Sequence, residues 1–261
     1  MDRLPCDVIA TILTNLPVKS VVQCRVLYDY YCVGFNMTTK EFMVVRMFFG
    51  LSNDDEASVS NVEVHTLGSN SWRNLGEAPS VWFIGFSSVF VNGSLHWLAK
   101  SKPKDGSNGL CSMLIVSFNL SSENFGVISF SEFGILPHSV PEDGPIAFQL
   151  VTLGRCLSVV DSCLKNPVIL WVLKNYNVME SWTRYIIRKC GSRIEPVQMI
   201  SYGKNGDILL LYGSNKLMSY NIESQTLSSL KGGTNWWFYT AFSYVESLIS
   251  VKSLCKTEDQ C

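Results

Sequence analysis

One short pattern recurs along this chain and limits its fold more than any bulk property does. An aromatic residue or histidine is followed by polar turn residues and then, seven positions on, by another apolar side chain. Phe35 leads to Phe42, His65 to Trp72, Phe118 to Phe125 and Tyr220 to Leu227. Trp171 and Trp182 read as the same unit with four extra residues in the turn. A fixed step across Asn, Ser, Thr and Lys turn residues, flanked by alternating apolar positions, is the pattern of a β-hairpin.

The hairpins are evenly spaced. His65 to Phe118 is 53 residues, Phe118 to Trp171 another 53, and Trp171 to Tyr220 is 49. Between them lie hairpins that turn on glycine, over residues 90–97 (Asn92-Gly93), 150–159 (Gly154) and 200–210 (Gly203, Gly206). Two hairpins per period of ~50 residues give four strands per repeat, the arithmetic of a kelch-like β-propeller blade. Three such repeats fall in 86–230, the hairpins of 32–76 form another, and 236–251 supplies closing strands. A β-sandwich is the competing architecture, since all hairpins share turn chemistry, but it gives no reason for a constant step at a constant period.

The first residues read differently. Pro5 suits a first helical turn and Asp7 the positive end of the helix dipole. Val8, Ile9, Ile12, Leu13 and Leu16 then form one apolar helical stripe. Pro17 ends that helix and starts a second, in which Val18, Val21, Val22 and Val26 repeat the stripe. Each helix is about ten residues, too short to hold alone in water, so the pair packs either on the rest of the chain or on a partner.

Composition narrows the function classes. Of 261 residues 47% are hydrophobic and only 16% charged, which excludes disorder over most of the length. The formal net charge of −1 provides no overall basic field for nucleic acid. Mean hydropathy is +0.16, yet apolar runs such as 168–173 fall far short of the roughly 20 residues of a spanning helix, and no membrane partner is expected. Asp2, Arg3, Pro5 and Asp7 stand where a signal peptide needs an apolar stretch, so the expected location is cytoplasmic, nuclear or both. The nine cysteines are scattered, with no pair spaced for zinc, and read as reduced core thiols. No cofactor or metal is expected.

Several of these segments, taken in order, carry a resemblance. Residues 4–26, with Leu4-Pro5 at the start, Leu16-Pro17 in the middle and Arg25-Val26 at the end, resemble the beginning of a plant F-box. Val64-His65-Thr66-Leu67-Gly68-Ser69-Asn70-Ser71-Trp72-Arg73, Val91-Asn92-Gly93-Ser94-Leu95-His96-Trp97, Trp171-Val172-Leu173 and Glu180-Ser181-Trp182 resemble the F-box-associated domain that follows it. The implied fold is mainly β: a short helical F-box remnant over 1–27, a propeller-like, kelch-like domain of antiparallel four-stranded repeats over 30–251, and a tail over 252–261. The implied function is that of a substrate-recognition subunit of an SCF-type cullin-RING ubiquitin ligase. Leu4, Pro5, Val8, Ile9, Ile12, Leu13, Leu16, Pro17, Val18, Val21 and Val22 would then bind a Skp-type adaptor, and through it cullin. The β domain would capture a target protein whose identity the sequence does not encode.

The resemblance has one gap. In the family a third helical segment and about a hundred further residues precede the counterpart of Tyr31-Cys32-Val33-Gly34-Phe35. Here Val26 runs through Leu27-Tyr28-Asp29-Tyr30 directly into that strand. The chain thus resembles a member with an internal deletion and an incomplete repeat array. A ligase-incompetent β interaction protein, or a truncated product, is the alternative function.

Catalytic chemistry finds little support. Lys231-Gly232-Gly233-Thr234 lacks the context of a phosphate-binding loop, Asp54-Asp55-Glu56 reads as a solvated acidic run, and His65 and His96 stand in separate hairpins. Trp72, Trp97, Trp171 and Trp182 are expected as core residues between repeats. Trp82 and Phe83, and likewise Trp236 and Trp237, lie near repeat junctions where loops emerge and are the candidate target-binding residues.

Overall fold

The structure is a computed structural model and describes residues 29–51, 57–84, 88–101, 112–129, 148–162, 167–176, 178–187, 197–202, 206–213 and 216–230. The expected F-box helices, Trp236, Trp237 and the expected closing strands at 236–251 lie outside the described residues. Among the described residues there is no α-helix, and none long and apolar enough to cross a membrane.

Four antiparallel sheets follow one another along the chain, and each has the connectivity of two successive hairpins. The first holds β1 (Asp29–Asn36), β2 (Glu41–Leu51), β3 (Ala57–Thr66) and β4 (Arg73–Gly76) in sequence order. The second holds β5 (Val81–Phe83), β6 (Val89–Val91), β7 (Ser94–Ser101), β8 (Met113–Asn119) and β9 (Asn124–Ser129), with β5 and β6 both paired to β7. The third is β10 (Phe148–Leu153), β11 (Cys156–Asp161), β12 (Val168–Leu173) and β13 (Trp182–Ile187). The fourth is β14 (Val197–Tyr202), β15 (Ile208–Tyr212), β16 (Lys216–Asn221) and β17 (Thr226–Ser229). These are the repeats anticipated from spacing, with β5 as an added strand. The chain divides into two compact units near residue 128, the first carrying sheets one and two and the second sheets three and four.

Within the first unit, Cys32, Met43, Val45, Met47, Val62 and Val64 of sheet one pack with Val81, Leu95, Trp97, Ala99, Leu114, Val116 and Phe118 of sheet two. Within the second, Val151, Leu153, Val160, Leu170 and Val172 of sheet three meet Val197, Met199, Leu210 and Tyr220 of sheet four. The opposite faces are buried as well: Val44 is 0% exposed, Ile115 0%, Leu157 0% and Leu173 1%. Burial on both faces explains why β2, β7, β8 and β11 read as near-continuous apolar runs rather than strict alternation.

The seven-residue step has a physical cause. Phe35 faces Phe42 across the β1–β2 hairpin and Tyr220 faces Leu227 across β16–β17. The rings of Phe35 and Phe42 lie 5.0 Å apart edge-on, and those of Phe118 and Phe125 4.8 Å apart. The asparagine behind each of these aromatics closes the turn. Asn36 Oδ1 accepts from the N–H of Thr38 and Thr39, Asn119 Oδ1 from Ser121 and Ser122, and Asn221 Oδ1 from Ser224. Four residues beyond each asparagine, the chain turns left-handed at Lys40 (φ 62°), Glu123 (φ 55°) and Gln225 (φ 55°). An Asx cap followed by a left-handed residue brings the strands back in register, so the next facing position falls seven residues on.

The longer unit is paired differently from the sequence reading. Leu173, not Trp171, faces Trp182, and Trp171 faces Arg184. The eight intervening residues contain a 3₁₀ turn, Met179–Ser181, and Asn175 and Ser181 bond to each other across it. The turn is thus only about half an added loop, and the aromatic identity of Trp171 is incidental to it. Glycine hairpins also behave as expected: Asn92 (φ 51°) and Gly93 (φ 77°) make a two-residue turn between Val91 and Ser94.

Two local constraints join the sheets of the first unit. Gly34 lies where a Cβ would overlap the Leu120 side chain and crowd Phe90, so its lack of a side chain is a packing requirement. Asn36 Nδ2 donates to Leu120 O at 2.9 Å while its Oδ1 also accepts from the Ser121 hydroxyl. An Asn36→Ala variant strands a buried carbonyl and opens the turn, and is expected to cost about 1–3 kcal/mol in urea unfolding. Replacing Gln225 by Gly relieves the left-handed strain, and is expected to raise stability by about 0.5–1 kcal/mol in the same measurement.

Candidate functional site

The candidate target-binding residues Trp82 and Phe83 lie on β5, a short strand at the junction between the first two sheets. A three-residue strand is too short to show alternation in sequence, and its pairing with β7 comes from tertiary contact. Phe83 stands opposite Ala99 and sets its ring edge-on to Trp97, 6.1 Å between centroids, so it packs against the core. Trp82, opposite Lys100, points to the other face of the second sheet and is half-buried.

The other tryptophans divide by environment. Trp97 is buried in the core between sheets one and two, as expected. Trp72 lies on the outer face of the first sheet, in a small cluster around Val44 with Tyr31, Val33 and Leu67. Trp171 and Trp182 are only half-buried, which corrects their reading as inter-repeat core. Trp182 stands on β13, the last strand of its sheet, and Trp171 on the neighbouring β12, and that position decides exposure where composition does not.

Two cationic sites escaped sequence reading. Arg46 is buried on the Trp72 face, its guanidinium 4.0 Å from the Phe48 ring centroid, 5.6 Å from Tyr31 and 5.9 Å from Trp72. Glu63, its register partner on β3, reaches it at 3.6 Å. Arg184 lies over Trp171 at 5.6 Å and is exposed. Phe48 is two residues along the same strand from Arg46, whereas cross-strand register brings Tyr31 beside Arg46 and Trp171 beneath Arg184.

The two described histidines, His65 and His96, are structural. His65 Nδ1 bonds to Ser71 O at 3.2 Å, and its ring stacks against Trp72 at 5.1 Å. His96 is fully buried, and its Nδ1 bonds to Val89 O at 3.3 Å; since a carbonyl accepts, Nδ1 carries the proton. Burial lowers its pKa from 6.5 to about 4, against the opposing pull of backbone bonds at Val89 and Ser94. Cys32 is a buried free thiol whose pKa burial pushes up, and Cys156 is a second free thiol. Among the described residues no group of three His, Cys, Asp or Glu side chains is placed to hold a metal ion.

Comparison with known families decides the kinship. The F-box associated beta propeller domain family matches residues 18–251. The chain belongs to this family. F-box protein CPR1 of Arabidopsis thaliana is 27% identical over 243 residues, covering 85% of this chain and 56% of that protein. A second F-box protein of the same plant is 28% identical over 245 residues, covering 79% and 56%. An Arabidopsis thaliana F-box/kelch-repeat protein is 24% identical over 168 residues, covering 63% and 40%. The chain therefore spans about half the length of the curated relatives it matches. Among solved structures, a Mycobacterium tuberculosis puromycin-hydrolyzing peptidase superposes with a TM-score of 0.42 at 12% identity, covering 83% of this chain and 33% of that one, and carries no argument.

The second sheet of this chain buries a neutral histidine, and this has a pH signature. The native ring takes up a proton only near pH 4, the unfolded ring already near 6.5. Unfolding therefore absorbs a proton between those values, so the His96 contribution is full above pH 6.5 and is lost as pH falls toward about 4. The slope is at most about 1.4 kcal/mol per pH unit. Urea midpoints measured across this range should fall less steeply with acidification for His96→Gln than for the parent chain.

Proposed function

We propose that the chain acts as a target-recognition subunit of an SCF-type ubiquitin ligase. The observation that carries this reading is the family match across residues 18–251, supported by relatives that are themselves F-box proteins. In this role the chain performs no chemistry. Leu4, Pro5, Val8, Ile9, Ile12, Leu13, Leu16, Pro17, Val18, Val21 and Val22 bury their apolar stripe on a Skp-type adaptor, which joins cullin. Each large aliphatic side chain so buried is worth about 1.5–3 kcal/mol. The β domain holds a target protein in place while other subunits transfer ubiquitin to it. Trp82 and Phe83 on the first unit, and Trp236 and Trp237 on the second, are the residues we assign to target contact.

A second reading has its own observation. Strand β1 begins at Asp29, leaving only Leu27 and Tyr28 after the apolar stripe ends at Val26. A third helical segment has no room there, and the chain on this reading is an interaction protein cut off from the ligase.

Calorimetry against a purified Skp-type adaptor separates the two. The receptor reading expects a dissociation constant of ~1 μM or tighter for the full chain, and loss of the signal in an Ile12→Asp, Leu16→Asp double variant. A folded chain that gives no heat with the adaptor supports the second reading.

A further inference from the structure

The last strands of the four sheets are unequal. In the first sheet, β4 gives its cation to Glu123, Arg73 pairing through both guanidinium nitrogens. In the second, β9 carries an exposed Val127 and no charged side chain. In the fourth, β17 reads Thr-Leu-Ser-Ser. In the third, β13 combines half-buried Trp182, exposed Arg184 and Ile186 at 45% exposure. All three project from one face, because they alternate along one strand. Among the described residues β12 is the sole strand paired with β13, and Arg184 makes no ion pair. Asp161 shares this face but stands on β11, beyond Ile169.

The hydrogen-bond phase of the hairpin shows which backbone groups face the open edge. Lys174 N–H donates to Ser181 O at 3.4 Å, so the 174/181 pair is a bonded one. In an antiparallel ladder bonded and non-bonded pairs alternate. The pairs Leu173/Trp182, Trp171/Arg184 and Ile169/Ile186 are therefore non-bonded, and the backbone groups of Trp182, Arg184 and Ile186 point away from β12. An independent contact agrees: the Tyr220 hydroxyl donates to Ile186 O at 3.4 Å, so that carbonyl points outward and is already engaged, and an added strand pairs at Arg184 rather than at Ile186. At the centre of this edge, Arg184 presents its N–H, its C=O and its guanidinium together.

We propose that β13 receives an added strand from a target protein: an extended segment with an acidic residue opposite Arg184 and apolar residues two positions to either side, over Trp182 and Ile186. Main-chain bonds to Arg184 supply the pairing, and the guanidinium held over Trp171 selects the carboxylate. The two apolar side chains extend the half-exposed strip of Trp171, Ile169 and Ile186. This deepens the receptor reading, on which it rests for the source of the segment.

The test is fluorescence anisotropy with the full chain and a labelled nine-residue peptide, Val-Thr-Leu-Thr-Glu-Thr-Leu-Thr-Val. Analogues carry Gln or Lys in place of Glu, or a methyl group on the Glu backbone nitrogen. The Glu peptide is expected to bind about fivefold more tightly than the Gln analogue at low salt. The methylated analogue, unable to donate to Arg184 O, is expected to lose about tenfold or more. The exposed charge reversal Arg184→Glu should invert the preference, binding the Lys analogue over the Glu parent. The proposal is overturned by no saturable binding, by equal binding of the Glu, Gln and Lys peptides, or by a methylated analogue as tight as its parent. Adaptor calorimetry on the same preparations keeps the two claims apart. Adaptor binding without peptide binding removes the added strand and leaves the receptor; peptide binding without adaptor binding removes the receptor and leaves the strip.

Discussion

Everything in this molecule follows from sheets that must be covered on both faces. A four-stranded sheet with one apolar face can rest on a single partner. Here Met43, Val45 and Met47 face one way from β2 while Val44 and Arg46 face the other, and all are buried. The same holds for β7, where Leu95, Trp97 and Ala99 alternate with His96 and Leu98. A repeat with this property has no stable existence alone, so the sequence must supply several in succession. That requirement is what a repeated period of ~50 residues encodes.

Polar groups inside such a stack must be satisfied where they sit, and the chain does so locally. Asn36 caps its own turn and ties it to the next sheet at Leu120 and Ser121. Asp207 accepts from Ser219 and Asn221, fixing the β15–β16 connection while Asn221 caps the following turn. His96 stays neutral because burial disfavours the imidazolium, and the Val89 carbonyl accepts from its Nδ1–H. The buried Arg46 guanidinium is accommodated by three rings and Glu63 around it. The buried polar residues thus hold geometry, and the groups left for recognition sit on the last strands and turns.

That division suits a binding module. Among the described residues His65 and His96 are each held by a backbone carbonyl of their own hairpin. A protein-capturing surface needs rigid backbone and side chains of mixed character at an accessible edge. The third sheet meets that description at β13, where an arginine, a tryptophan and an isoleucine alternate along one strand.

Repeat number, hairpin positions and family kinship were legible in the sequence, because turn chemistry is local. An asparagine after an aromatic, and a second apolar residue seven positions on, report a capped turn wherever they occur. Register was not fully legible. Trp171 and Trp182 are both tryptophans and appeared to be the facing pair, but the 3₁₀ turn at Met179–Ser181 moves the match to Leu173. The strand at Val81–Phe83 was also hidden, since three residues cannot display a period and only β7 makes them a strand. The contacts of Arg46 with Tyr31 and of Arg184 with Trp171 join residues that are distant in sequence and neighbours only across strands. Local hydrogen bonding wrote the repeat into the sequence; exposure, facing partners and the open edge were decided by long-range pairing, which no single segment specifies.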